Sequence, residues 1–220
     1  MPNWVMNRVT FEGDPVRVHD LLEGIRPEGH PLGHIDFDRV LPMPASLDIE
    51  SGSRTARGYS QYRRYIKAKD PFVRRACESY AANYPEEWAL GKAAYQNEID
   101  YGAQDWYEWR VLHWGTKWNA ENENSAESTE LRFRTAWICP VPVLVEIGRQ
   151  FPDVEIFVEY ADEDIGHNCG TITISEGSPY YAEPGNSNEC VLFACGVWGS
   201  DPTDYGLFLN ESGEYEYRDE

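Results

Sequence analysis

The stretch His113-Trp114-Gly115-Thr116-Lys117-Trp118-Asn119 concentrates more chemistry than any other part of the 220 residues. It sets an imidazole, an ammonium and a carboxamide beside two indoles spaced i, i+4, and Gly115 lets a backbone or ligand come close. With His113 as general base and Lys117 as electrostatic stabiliser, such a set could serve a small-molecule reaction. No Ser or Cys with a plausible partner lies near it in sequence. The structural alternative has Trp114 and Trp118 anchoring a segment on a sheet while His113 and Asn119 cap a turn. No catalytic residue is assigned; His113, Trp114, Lys117, Trp118 and Asn119 stand as ligand- or partner-contact candidates.

The acidic cluster Asp162, Glu163 and Asp164, followed by Gly166 and Asn168, faintly resembles a calcium loop. The bidentate Glu such a loop needs would fall at Thr173, so the run reads as a solvated turn. His30 and His34 are four apart, but Pro31 and Gly33 between them exclude a helical ligand pair. The five cysteines at 77, 139, 169, 190 and 195 contain no C-x-x-C and read as reduced thiols of a cytosolic protein. Signatures of phosphate loops, dinucleotide folds, zinc proteases and hydrolase elbows are absent from the sequence. No metal or cofactor is expected.

Net charge narrows the partners. The formal charge is −19, with residues 1–120 holding 15 Lys/Arg against 17 Asp/Glu and residues 121–220 holding 4 against 21. Such an excess repels phosphate backbones, so nucleic acid is an unfavourable partner overall. One segment runs the other way: Arg54, Arg57, Arg63, Arg64, Lys67, Lys69, Arg74 and Arg75 face only Asp70. Interleaved Tyr and Trp there could stack single-stranded bases, although the preferred reading of the charges is a solvated helix face.

Composition, at 41% hydrophobic and 14% aromatic, supports a real core. No run approaches the ~20 apolar residues of a membrane helix. Met1-Pro2-Asn3-Trp4 lacks the features of a secretory signal, so a cytoplasmic location is expected.

Periodicity predicts a strand over 3–11, then a helix over 15–25 opened by Asp14-Pro15. A second strand is predicted over 35–41. The pattern repeats with a strand at 131–137, a helix after Pro140, and a strand from Val154 to Tyr160. Two β-α-β units predict an α+β ferredoxin-like plait, an antiparallel sheet with both helices on one face. The expected domain is 1–209, with 45–130 as a mainly helical, aromatic-rich insertion between the units and 210–220 as an acidic tail. Helices are predicted at about 54–68 and 71–83, and a polar surface loop at 119–130. Strands at 170–175 and 190–197, linked by 179–188, predict an extra C-terminal hairpin.

Five motifs occur in order: Pro2-Asn3-Trp4-Val5-x-Asn7, Val40-Leu41-Pro42-Met43-Pro44, His113 to Ala120, Thr135-Ala136-Trp137 with Pro140, and Tyr160-Ala161-Asp162-Glu163-Asp164-x-Gly166. Over about 2–170 the chain resembles the YubB-like family of plasmid- and phage-borne proteins. The resemblance implies a ferredoxin-like domain and a mobile-element context, and carries over no functional residue. Ile138-Cys139 departs from the small residue and proline expected after the Trp, which puts the local turn in doubt. The combined expectation is a non-catalytic acidic interaction protein that engages a host or element-encoded protein, in one version as a DNA mimic. Two alternatives remain open: an enzyme with a site at His113 and Lys117, and a single-stranded nucleic-acid binder using 54–75.

Overall fold

Alternating apolar side chains build β1 (Trp4–Glu12), which turns Val5, Asn7 and Val9 to one face and Met6 to the other. The computed structural model describes residues 2–217. Asp14 caps α1 (Pro15–Ile25), accepting from the amides of Val16 and Arg17, and the helix buries Leu21, Leu22 and Ile25. Residues 35–41 do not form the expected strand. Asp36 instead caps a single turn, α2 (Phe37–Val40), by accepting from the Asp38 amide, and Phe37 packs edge-on against Phe133. Four helices follow: α3 (Ser53–Lys67), α4 (Pro71–Asn83), α5 (Pro85–Tyr101) and α6 (Trp106–His113).

The chain then forms β2 (Glu121–Asn122), β3 (Leu131–Ala136), α7 (Val141–Gln150), β4 (Glu155–Asp162), β5 (Cys169–Ser175) and β6 (Ser178–Ala182). These strands and β1 make a six-stranded sheet in the order β2-β3-β1-β4-β5-β6, every neighbouring pair antiparallel. The inner order β2-β3-β1-β4, with α1 and α7 as crossovers, is the ferredoxin-like plait. The first repeat therefore closes with the two-residue β2, inside the expected 119–130 loop, and the helical segment falls within that repeat.

The C-terminal hairpin is β5–β6, turned by Glu176 and Gly177 at φ 50° and 73°. Its second strand lies in the expected link, and 190–197 is not a strand. Those residues lie in α8 (Ser187–Trp198), where Val191, Ala194, Cys195 and Val197 are buried. Alternation at 191, 193, 195 and 197 fits either period. The Asn186–Glu189 capping box and the left-handed Gly199 decide for helix. α8 packs on β1, β4 and β5 from the side that carries Met6 and Ala161, adding a helix beyond the two of the plait. A hairpin of β7 (Leu207–Leu209) and β8 (Tyr215–Tyr217) occupies much of the expected tail; residues 218–220 lie outside the described residues.

Contacts divide the chain into a sheet unit, 1–42 with 114–220, and a helical unit, 43–113. In the sheet unit, buried Asn7 donates to the carbonyls of Val5 and Phe133 and to Thr135 Oγ1, whose hydroxyl donates to Ile138 O. The network ties two strands to the turn after β3. Asn7→Val is expected to cost about 1–3 kcal/mol, since it strands buried acceptors; urea unfolding of both forms measures it.

In the helical unit α3 and α5 meet at Gly58 and Gly91, flanked by the rings of Tyr59, Tyr62, Tyr65, Trp88 and Tyr95. Arg57 lies 2.6 Å from Glu87, and the Tyr80 hydroxyl donates to the same carboxylate. These donors hold the Glu87 carboxyl down to about 2, against an ordinary 4.5. A carboxyl depressed on folding adds stability above its unfolded pKa and loses it as pH falls through the folded one. Stability of this unit should thus fall from pH 4.5 towards about 2, and fall less in Glu87→Gln. Helical circular dichroism followed through acid titration of both forms checks this.

Candidate functional site

The His113–Asn119 stretch is distributed between the two units. His113 ends α6, and its ring stacks on Trp109 with centroids 4.5 Å apart. Trp114 is fully buried in the sheet unit, donates its indole N–H to Leu41 O at 2.9 Å, and meets Phe37 edge-on. Asn119 accepts from the Phe37 amide and donates to Asp36 Oδ1, fastening the start of α2.

Lys117 and Trp118 do form a surface feature. The Lys117 ammonium lies 4.0 Å from the Trp118 ring centre and 4.4 Å from that of Trp137. Both indoles are more than a third exposed, Ile138 beside them is 46% exposed, and Trp4 packs 5.8 Å from Trp118. Trp137 and Trp4 were missed as site candidates by sequence. Trp137 sits at φ 75°, a left-handed conformation costly for a bulky residue. The Asn168 side chain donates to the Trp137 carbonyl and to Asp162 Oδ2, holding that turn. This is where Ile138-Cys139 departs from the expected motif, and an exposed Trp gives no local signal for positive φ.

Asp162 is buried and accepts from Asn3, Asn168 and the Asp164 amide, while Glu163 and Asp164 face solvent. Its oxygens serve a turn. In the basic segment Arg54 pairs with Glu50 and Glu86, and Arg57 with Glu87. Arg63 lies over Tyr59 and Arg74 over Tyr65, while Arg64, Lys67, Lys69 and Arg75 are exposed.

Division into units sharpens the charge. Residues 43–113 hold 10 Lys/Arg and 10 Asp/Glu, so the whole −19 belongs to the sheet unit, which holds 9 against 28. Within that unit Arg8, Arg17, Arg26, Arg132, Arg134 and Arg149 each pair with a carboxylate. Arg39 donates to Gly24 O, and Lys117 lies on its indoles. The described cations are thus engaged internally, and carboxylates remain in large excess.

An α+β ferredoxin-like unit with an acidic surface is the class that fold and charge define. Residues 113–188, from the end of α6 to the start of α8, match the family model described as a ferredoxin-like domain in Api92-like protein. Among solved structures, the crystal structure of protein api92 from Yersinia pseudotuberculosis is similar, at 13% identity and TM-score 0.41, over 84% of this chain and 100% of that one. No curated protein matches the chain. No helix among the described residues is long and apolar enough to cross a membrane.

Proposed function

We propose that this chain is a non-catalytic binding protein whose acidic sheet unit engages a basic protein surface. One observation carries the proposal: the entire net charge of −19 resides in that unit, where the described cations are already engaged. An array of unneutralised carboxylates steers and orients a positively charged partner. Trp118, Trp137 and Ile138 would supply the apolar anchor, as exposed aromatics do at protein interfaces. The motif resemblance supplies the setting, a plasmid or phage element in a bacterial cytoplasm, with a host protein or one encoded by the same element as partner. In the DNA-mimic version that partner offers a nucleic-acid-binding cleft. His113 stacked on Trp109 and Lys117 stacked on two indoles lend the enzymatic alternative no support.

Affinity capture from nuclease-treated bacterial lysate, at low and at moderate salt, tests the proposal. A stoichiometric basic protein held at low salt and released at moderate salt is expected. Salt-insensitive capture would overturn it.

A second possibility rests on the exposed cations Arg64, Lys67, Lys69 and Arg75 in the electrically neutral helical unit, which could hold single-stranded nucleic acid. Reversing Arg63, Arg64 and Lys67 to Glu should then abolish retention of an oligonucleotide. Unchanged retention excludes it.

A further inference from the structure

A cavity of about 330 Å³ opens in the sheet unit where the N-terminus of α7 meets β4, β5, β6 and the turn after β3. Its size is at the small end of ligand sites, roughly 300–1,000 Å³. Ile138, Val141, Pro142 and Ile172 line it, together with Gly115 and Cys139. The thiol is fully buried and its pKa is pushed up by desolvation, so it is neutral and inert. None of the lining residues is charged.

The polar groups are few and placed at particular points. The Asn168 amide is engaged by Trp137 O and Asp162, and Tyr181 stands at the mouth, 62% exposed. Tyr160, half-buried on β4, has no hydrogen-bond partner for its hydroxyl among the described residues. Its cross-strand neighbour is Gly170, where a Cβ would stand 3.1 Å from that hydroxyl and 2.8 Å from Ala182 O, so the absent side chain is what lets the Tyr160 ring lie there. Burial raises the Tyr160 pKa, so the group stays protonated and is available as a donor. A half-buried donor with no hydrogen-bond acceptor among the described residues, in an apolar cavity, favours a guest that supplies the acceptor.

The geometry points to a binding site for a small, neutral, largely apolar molecule carrying one hydrogen-bond acceptor for the Tyr160 hydroxyl. An ionic guest would leave water with no charged partner in the wall, which is heavily unfavourable. The surrounding negative charge disfavours anions further. The site is independent of the acidic-surface proposal, since its walls carry none of the carboxylates on which that proposal rests.

Two bicyclic probes test it on the full chain: 1-indanone, which has one carbonyl acceptor, and indane, which has none. Titrations are followed by amide chemical shifts. Saturable shifts confined to Gly115, Ile138, Asn168 and Ile172 are expected, with indanone binding about five- to tenfold more tightly than indane. Tyr160→Phe, which keeps the ring, should erase that preference and leave indane binding unchanged. Val141→Trp, at the first position of α7, should fill the cavity and abolish both titrations while the spectrum stays dispersed. No saturable shift, shifts scattered over the surface, equal affinity for the two probes, or a preference that survives in Tyr160→Phe would overturn the proposal.

Discussion

Gly58→Ala is expected to break the packing of α3 on α5. A Cβ built at Gly58 would lie 1.8 Å from Glu87 O and 2.7 Å from Glu87 C; one at Gly91 would lie 1.9 Å from Gly58 C. These are backbone atoms, which cannot rotate away as a side-chain tip can. The helices must separate, and with them go the Tyr59–Tyr95 and Tyr62–Trp88 ring contacts and the Arg57–Glu87 pair. Overpacking of a core costs about 1–3 kcal/mol when side chains absorb it, and a backbone-to-backbone clash belongs at or above the top of that range. The helical unit has little reserve, because α4 buries only Cys77. Loss of helical signal at temperatures where the native chain is intact is the expected result. Gly24→Ala, in α1 with nothing within 4 Å of the added methyl, is the control. It should stabilise by about 0.5–1 kcal/mol through the unfolded state. Equal melting of Gly58→Ala and native protein would show that the helices do not approach this closely.

Trp114→Ala should cost about 3–5 kcal/mol, the range for emptying a buried aromatic site. Trp114 is 0% exposed and touches Phe37, and its N–H satisfies Leu41 O, which truncation leaves without that donor. Trp118→Ala should behave in the opposite way. It is 38% exposed, so its loss should change stability little while removing one of the two platforms under Lys117. Denaturant unfolding and partner capture on the two variants separate an anchor from a contact. Trp114→Ala that folds normally but loses the partner would reverse the assignment.

Those two tryptophans also mark how far the sequence was legible. Both were visible in one motif, and their spacing alone could not tell the buried one from the exposed one, because burial depends on which strand and helix pack above them. β1, β3 and β4 were readable from their alternation and α7 from the prolines that open it, while in α1 cap and period agreed: Asp14-Pro15 before Val18, Leu21, Leu22 and Ile25 leaves one solution. At 35–41 apolar alternation competed with the Asp36 cap, and the cap prevailed. At 190–197 the capping box and Gly199 were in the sequence, and a period-2 count over a short apolar run outweighed them. The two-residue β2 carries no periodicity at all. Trp137 at φ 75° and the placement of the Tyr160 hydroxyl at the cavity are products of tertiary packing, and no local residue pattern encodes them.

The central claim, that the acidic sheet unit binds a basic protein surface, is tested most directly by the salt dependence of binding to the captured partner. Titration calorimetry at rising salt, with the partner purified, should show affinity falling by roughly tenfold or more between low and moderate ionic strength as the carboxylate field is screened. Affinity that stays flat across the same range would contradict the claim and return the interaction to apolar contacts or to the helical unit.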